Sequence, residues 1–279
     1  MQYELNIEKP HLHFLQIKAE FNNINEKETT IQLPMWRPGR YQTTHFSKRI
    51  RKWSVRDKKG NELDYYKKGP ETWVIDSKDT DAFEILYEYY ADTLDAGSTY
   101  LDEEQLYVNP VNCLIYRPSN EEESADIKLN IPSNYIIATS LKEKQKHVLY
   151  AENVQELMDS PFIASPSLKH EQWKVSGVDF HLWFQGLCAP DFDKVKRDFE
   201  KYIKAQIQAF SEFPENEFHF LYQITPDSSY HGVEHERSTV IMLGPSYELM
   251  SDEGKYPAFL GVSSHELYHA WNIKKIRPK

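Results

Sequence analysis

His265-Glu266-Leu267-Tyr268-His269 is an H-E-x-x-H pentapeptide, and the fold of these five residues decides most of what the chain can be. On an α-helix, residues four apart share a face, offset by only about 40°. Two imidazoles so placed can grip one zinc ion, and the carboxylate one position along can reach a water bound to that ion. The flanks suit a helix: Phe259, Leu260 and Val262 lie upstream, and Leu267, Ala270, Trp271 and Ile273 carry the pattern on until Pro278 stops it. His265 and His269 are therefore candidate zinc ligands, and Glu266 is the candidate general base. A catalytic zinc takes three protein ligands and one open position. The motif supplies two, and none of the ten residues after His269 is acidic. The third ligand is expected outside this chain, which then reads as a fragment.

The remaining bulk narrows the classes. A chain of 279 residues is long enough for about two domains. A net charge of −10 argues against a nucleic-acid footprint. No apolar run reaches membrane-spanning length, and Met1 to Pro10 has no signal-peptide core, so a cytoplasmic protein without a membrane partner is expected. Cys113 and Cys188, far apart, read as ordinary thiols and exclude a disulfide framework or a cysteine-based zinc site.

Residues 1–168 read as a β-rich domain. Leu15, Ile17, Ala19 and Phe21 alternate with polar residues, as do Ile127, Leu129 and Ile131. Further strands are expected at 30–36, 53–56, 72–75, 83–90, 114–117 and 135–139, punctuated by Pro38-Gly39, Lys59-Gly60-Asn61 and Gly69-Pro70. Many short strands with regular turns predict a sandwich or saddle-like sheet. The abundant tyrosines suit strand packing far more often than a carbohydrate platform.

The character changes in residues 169–279. The stretch 172–186 still reads as strand. From Asp191 to Phe213, Phe192, Val195, Phe199, Tyr202, Ile203, Ile207 and Phe210 keep helical spacing, with Asp191 as N-cap and Pro214 as the end. Strands follow at 218–224 and 239–243, separated by a loop at 225–236, before the motif helix. That order is α+β. Within the loop, Gly232-Val233-Glu234-His235 carries a carboxylate that could bind the free ammonium of a peptide, although a plain surface turn explains it equally well.

The run from His265 to Pro278 closely resembles the H-E-x-x-H-x-W-N-x-K-x-x-R-P signature of the glycyl aminopeptidase family, PDZ-domain-bearing gluzincin metallopeptidases. Gly232-Val233-Glu234-His235 resembles the family's G-x-x-E-H loop. Trp36-Arg37-Pro38-Gly39-Arg40-Tyr41 is similar to its W-x-P-G-x-Y stretch, and Leu157-Met158-Asp159-Ser160-Pro161 to its L-x-D-S-P stretch. The resemblance implies a β-rich N-terminal domain followed by the start of a thermolysin-like zincin catalytic domain, truncated before its third ligand and its PDZ domain. It implies zinc held by His265 and His269, Glu266 as general base, a substrate-binding loop of Gly232, Glu234 and His235, and peptide substrates with small first residues such as glycine or alanine. The other reading is a non-catalytic peptide-binding or interaction module with an incomplete metal site.

Overall fold

The computed structural model describes residues 1–37, 39 and 43–276. Pro38, Arg40 and Tyr41 of the first family-like stretch, and Arg277-Pro278 of the last, lie outside the described residues. The fold is mixed α+β and mostly sheet. It divides into two compact units: one made of residues 1–94, 98–135 and 141–159, the other of residues 95–97, 136–140 and 160–279.

The first unit is built on a seven-stranded sheet in the order Lys142–Gln145, Val148–Ala151, Ala125–Asn130, Gln2–Asn6, Phe14–Phe21, Phe83–Tyr90 and Ile50–Asp57. Its alternation is regular: Leu15, Ile17, Ala19 and Phe21 are buried while the residues between them are half-exposed. Gln2–Asn6 pairs parallel with Ala125–Asn130, a long-range contact with no local signature. Glu28–Gln32, Thr72–Asp76 and Tyr65–Gly69 form a separate three-stranded sheet.

The expected strand at 114–117 is not one. Side chains take carbonyls in and just before it: Tyr3 Oη donates to the Ile115 carbonyl at 2.7 Å, and Tyr87 Oη donates to the carbonyl of the preceding residue, Cys113, at 2.6 Å. Tyr116 makes an isolated bridge to Gln32, and the Leu114 N–H donates locally to the Pro110 carbonyl at 2.9 Å. Those hydroxyls satisfy groups that would otherwise require a ladder partner.

The second unit has a five-stranded mixed sheet. Its order is Lys169–Val175, Val178–Gln185, Glu217–Ile224, Ser238–Gly244 and Ser229–Glu234. Two sequence expectations are corrected here. The single strand read at 172–186 is a hairpin, turned at Ser176 (φ 51°) and Gly177 (φ 89°), where positive φ at both turn positions matches the strand twist. The loop read at 225–236 contains the strand Ser229–Glu234, antiparallel to Ser238–Gly244 on the sheet edge.

The helix Phe192–Phe210 crosses over between the parallel strands Val178–Gln185 and Glu217–Ile224. Val195, Phe199 and Ile203, one turn apart, are fully buried. With Phe259 and Leu267 of the motif helix they join Phe180, Leu182, Phe184, Phe218 and Phe220 in one core. Asp191 caps the crossover helix, its carboxylate accepting from Lys194 N–H at 3.0 Å. Asp191→Ala is expected to cost about 1 kcal/mol of unfolding free energy, readable as a lower urea midpoint at unchanged slope.

Candidate metal centre

The motif helix runs Tyr256–Tyr268, with Pro257 in its first turn. It is shorter than the sequence pattern predicts. His269 is its C-cap, and Ala270, Trp271 and Ile273 fall in turns beyond it. The cap keeps right-handed helical angles (φ −66°, ψ −18°), so the spacing of the two histidines survives the helix end.

Side-chain hydrogen bonds tie this helix and the turn after it to the rest of its unit. Ser263 Oγ donates to the Phe259 carbonyl at 2.6 Å, which leaves Tyr222 Oη on the central strand to donate to Ser263 Oγ at 2.7 Å. Gln206 of the crossover helix donates to the Ser264 carbonyl at 2.8 Å. Just past the motif, Trp271 Nε1 donates to the Glu212 carbonyl at 2.8 Å.

His265 Nε2 and His269 Nε2 stand 3.2 Å apart. Two nitrogens bound to one tetrahedral ion at about 2.0–2.1 Å would be separated by about 3.3 Å. The His269 tautomer is also set for coordination. Nδ1 lies 2.7 Å from the Asn272 carbonyl, which can only accept, so Nδ1 carries the proton and Nε2 keeps its lone pair. The pair fits a zinc ion. The Asn272 carbonyl had no signal in the sequence beyond the W-N dipeptide, because the contact is made by main chain.

Glu266 sits between the helix and the sheet edge, 5 % exposed. Its Oε2 has no hydrogen-bond partner among the described residues. Burial, reinforced by the Glu234 charge, pushes its carboxyl up to about 8. Glu234, on the edge strand, is itself 9 % exposed, and Glu234, Glu266 and His269 bring potential ligand atoms within 4.8 Å of one another. Gly232, two residues earlier on that strand, lies directly against the Glu266 carboxylate. His235 is buried where the edge strand turns back, its N–H donating to the Ser238 carbonyl at 2.9 Å. Five of the six residues singled out from sequence, all except His235, are thus gathered on one helix and the strand it faces.

A second group, His181, Glu217 and His219, also brings donor atoms together. Its geometry is poorer. The two imidazole rings stack in parallel with centroids 4.2 Å apart, so their in-plane lone pairs run side by side and do not converge. Trp183 Nε1 donates to His219 Nδ1 at 3.2 Å, which leaves the neutral ring protonated at Nε2. This group is an aromatic stack on the sheet; the histidine pair at 265 and 269 has the ligand geometry.

Comparison with known proteins agrees with the family-like stretches at 36–41, 157–161 and 265–278. Residues 2–166 match the model of the peptidase M61 N-terminal domain, and residues 258–279 match that of the M61 glycyl aminopeptidase. The chain is similar to an aminopeptidase N family protein from Idiomarina loihiensis, with 25 % identity and a TM-score of 0.91, over 99 % of this chain and 48 % of that protein. It therefore spans about half of that relative's length. The fold is also similar to an M1 zinc metallopeptidase from Deinococcus radiodurans (11 % identity, TM-score 0.53, 97 % of this chain and 63 % of that one), a protein also solved as a mutant bound to a Tyr-Ser-Ala substrate. No curated protein matches the chain. No helix among the described residues is long and apolar enough to cross a membrane.

Proposed function

The chain belongs to the M61 peptidase family, and from that premise we propose that it carries the metal-binding helix and the amine-binding strand of a zinc aminopeptidase. The observation that carries this reading is the 3.2 Å separation of His265 Nε2 and His269 Nε2 beside a buried carboxylate. In the proposal, His265 and His269 are two of three zinc ligands, and the third is supplied from outside these 279 residues. Zinc, when bound, polarises the scissile carbonyl and acidifies a water to a pKa of about 7.

Glu266 accepts the proton of the attacking water and passes it to the departing amine. In the metal-free chain this carboxyl holds its proton to about pH 8; a dication beside it favours the ionised form that a base requires. Glu234 pairs with the ammonium at the substrate's N-terminus, which places the first peptide bond at the metal and excludes longer overhangs. Gly232 and His235 flank it and shape the same binding strand. The family resemblance adds a preference for small first residues, glycine or alanine.

The test compares one peptide with a free N-terminus and the same peptide N-acetylated, using zinc-loaded protein. Removing one partner of a desolvated ion pair costs about 2–5 kcal/mol. The acetylated peptide should therefore be cut at least about 30-fold more slowly, and Glu234→Gln should abolish the difference. Equal rates on the two peptides would remove the aminopeptidase assignment, and binding without turnover would favour a peptide-binding module.

A further inference from the structure

We infer that Gly232 fixes the position of the Glu266 carboxylate, because the side chain this strand residue lacks is the space the carboxylate fills. Gly232 lies inside the edge strand Ser229–Glu234, paired with Ile241. Its φ is outside the left-handed region in which Gly39, Gly60, Gly177 and Gly186 lie, so backbone freedom does not explain the residue. Glycine in a strand interior weakens the strand, and it commonly marks a site where another group approaches the backbone closely. Here the approaching group is Glu266. A Cβ built on Gly232 would collide with Oε1, Cδ and Cγ of Glu266, lying 2.8 Å from Cγ, and all three of its nearest atoms belong to that side chain.

Glu266 is 5 % exposed, and its Oε2 has no hydrogen-bond partner among the described residues. Polar contacts to that oxygen therefore do not orient it; the bare backbone at 232 does. Gly232 is a positioning residue acting through Glu266. The functional consequence rests on the zinc aminopeptidase reading, whereas the geometry does not. If Glu266 is the base, a side chain at 232 displaces it from the proton it must take, and a displacement of about 1 Å at a reacting group can cost about 10²-fold in rate.

The experiment is a double-mutant cycle on the 279-residue chain, read as urea unfolding midpoints, with zinc content measured on each variant. Gly232→Ala should lower the midpoint of the parent chain. In the Glu266→Ala background it should raise the midpoint, since alanine is the better strand residue once the space is free. Glu266→Asp, which withdraws the carboxylate by one methylene, should restore most of what Gly232→Ala loses, a rescue that a purely local strand effect would not give. Zinc content should be the same in Gly232→Ala as in the parent. On zinc-loaded protein with peptidase activity, Gly232→Ala should lower kcat by about 10²-fold, a larger effect than on KM.

An equal midpoint shift in both backgrounds, or no shift in either, overturns the inference. Coupling between 232 and 266 upholds the placement whether or not the 279-residue chain holds zinc; absence of zinc even in protein that carries the third ligand overturns the zinc reading alone. Zinc binding without coupling upholds the zinc reading and overturns the placement.

Discussion

In zinc-loaded protein, Glu266→Gln is expected to keep the metal and lose about 10²–10⁴-fold in peptide hydrolysis, the usual contribution of a positioned general base. The amide is nearly isosteric with the carboxylate, so packing against Gly232 is kept while proton acceptance is removed. Neither histidine is altered, so zinc content should match the parent by elemental analysis. The same variant has an opposite effect on the metal-free fold. The Glu266 carboxyl is raised to about 8 by burial and by Glu234, against an ordinary value of 4.5. Between those two pH values the unfolded chain has released its proton while the folded chain still holds one. Metal-free stability therefore falls as pH rises through this window, by at most about 1.4 kcal/mol per pH unit. Below pH 4.5 the group contributes no such slope. The amide of the Glu266→Gln variant has nothing to titrate, so its midpoint should be flatter with pH and, at pH 8, higher than the parent's. A parent and a variant with parallel pH profiles would show that Glu266 is not the buried acid described.

His265→Ala is expected to lower zinc affinity by about 10²–10³-fold. Structural zinc sites release about 10–16 kcal/mol over four ligands, or about 2.5–4 kcal/mol for each. His269→Ala should cost at least as much, since it also discards the Nδ1–H contact to the Asn272 carbonyl that sets the tautomer. Because His265 is exposed, its replacement should leave the unfolding midpoint of the metal-free chain within about 0.5 kcal/mol of the parent. Competition with a chelator of known affinity measures the first effect, and urea unfolding the second. Unchanged zinc affinity in His265→Ala would mean that the metal is bound elsewhere, with the histidine, tryptophan and carboxylate stack at 181, 183, 217 and 219 as the place to look.

The two variants separate binding from chemistry. His265→Ala removes the ion and, with it, any hydrolysis. Glu266→Gln keeps the ion and removes only the proton transfer. A protein in which both leave hydrolysis intact is not a zinc peptidase of this kind.

Much of the fold was legible where burial imposes a period. Strand Phe14–Phe21 alternates strictly enough to be read from sequence, since it has one face on the core, while Phe83–Tyr90 was legible only as a run of β-formers, with Tyr87, Glu88 and Tyr89 buried in succession. The crossover helix was equally plain, because Val195, Phe199 and Ile203 must all meet the same sheet. The segment 114–117 misled because its apolar residues are buried without a ladder, the Ile115 carbonyl being taken by Tyr3, distant in sequence. The run Ser229–Glu234 misled in the other direction. An edge strand pairs on one side only, so polar residues and a glycine there carry little of the alternation that marks an inner strand.

At the candidate site the sequence by itself determined the histidine pair. Four-residue spacing puts His265 and His269 on one face whatever surrounds them, because the helical repeat is a local property of the backbone. It also determined which carboxylate neighbours the pair. Tertiary structure alone decided that Gly232 and Glu234 stand against Glu266. It decided as well that the helix ends at Tyr268, and that a main-chain carbonyl orients His269. The physical reason is range. Side-chain spacing within one helix is fixed by bonds a few residues long. The approach of the edge strand is fixed by the order of five strands and by the core beneath them, to which residues far apart along the chain all contribute.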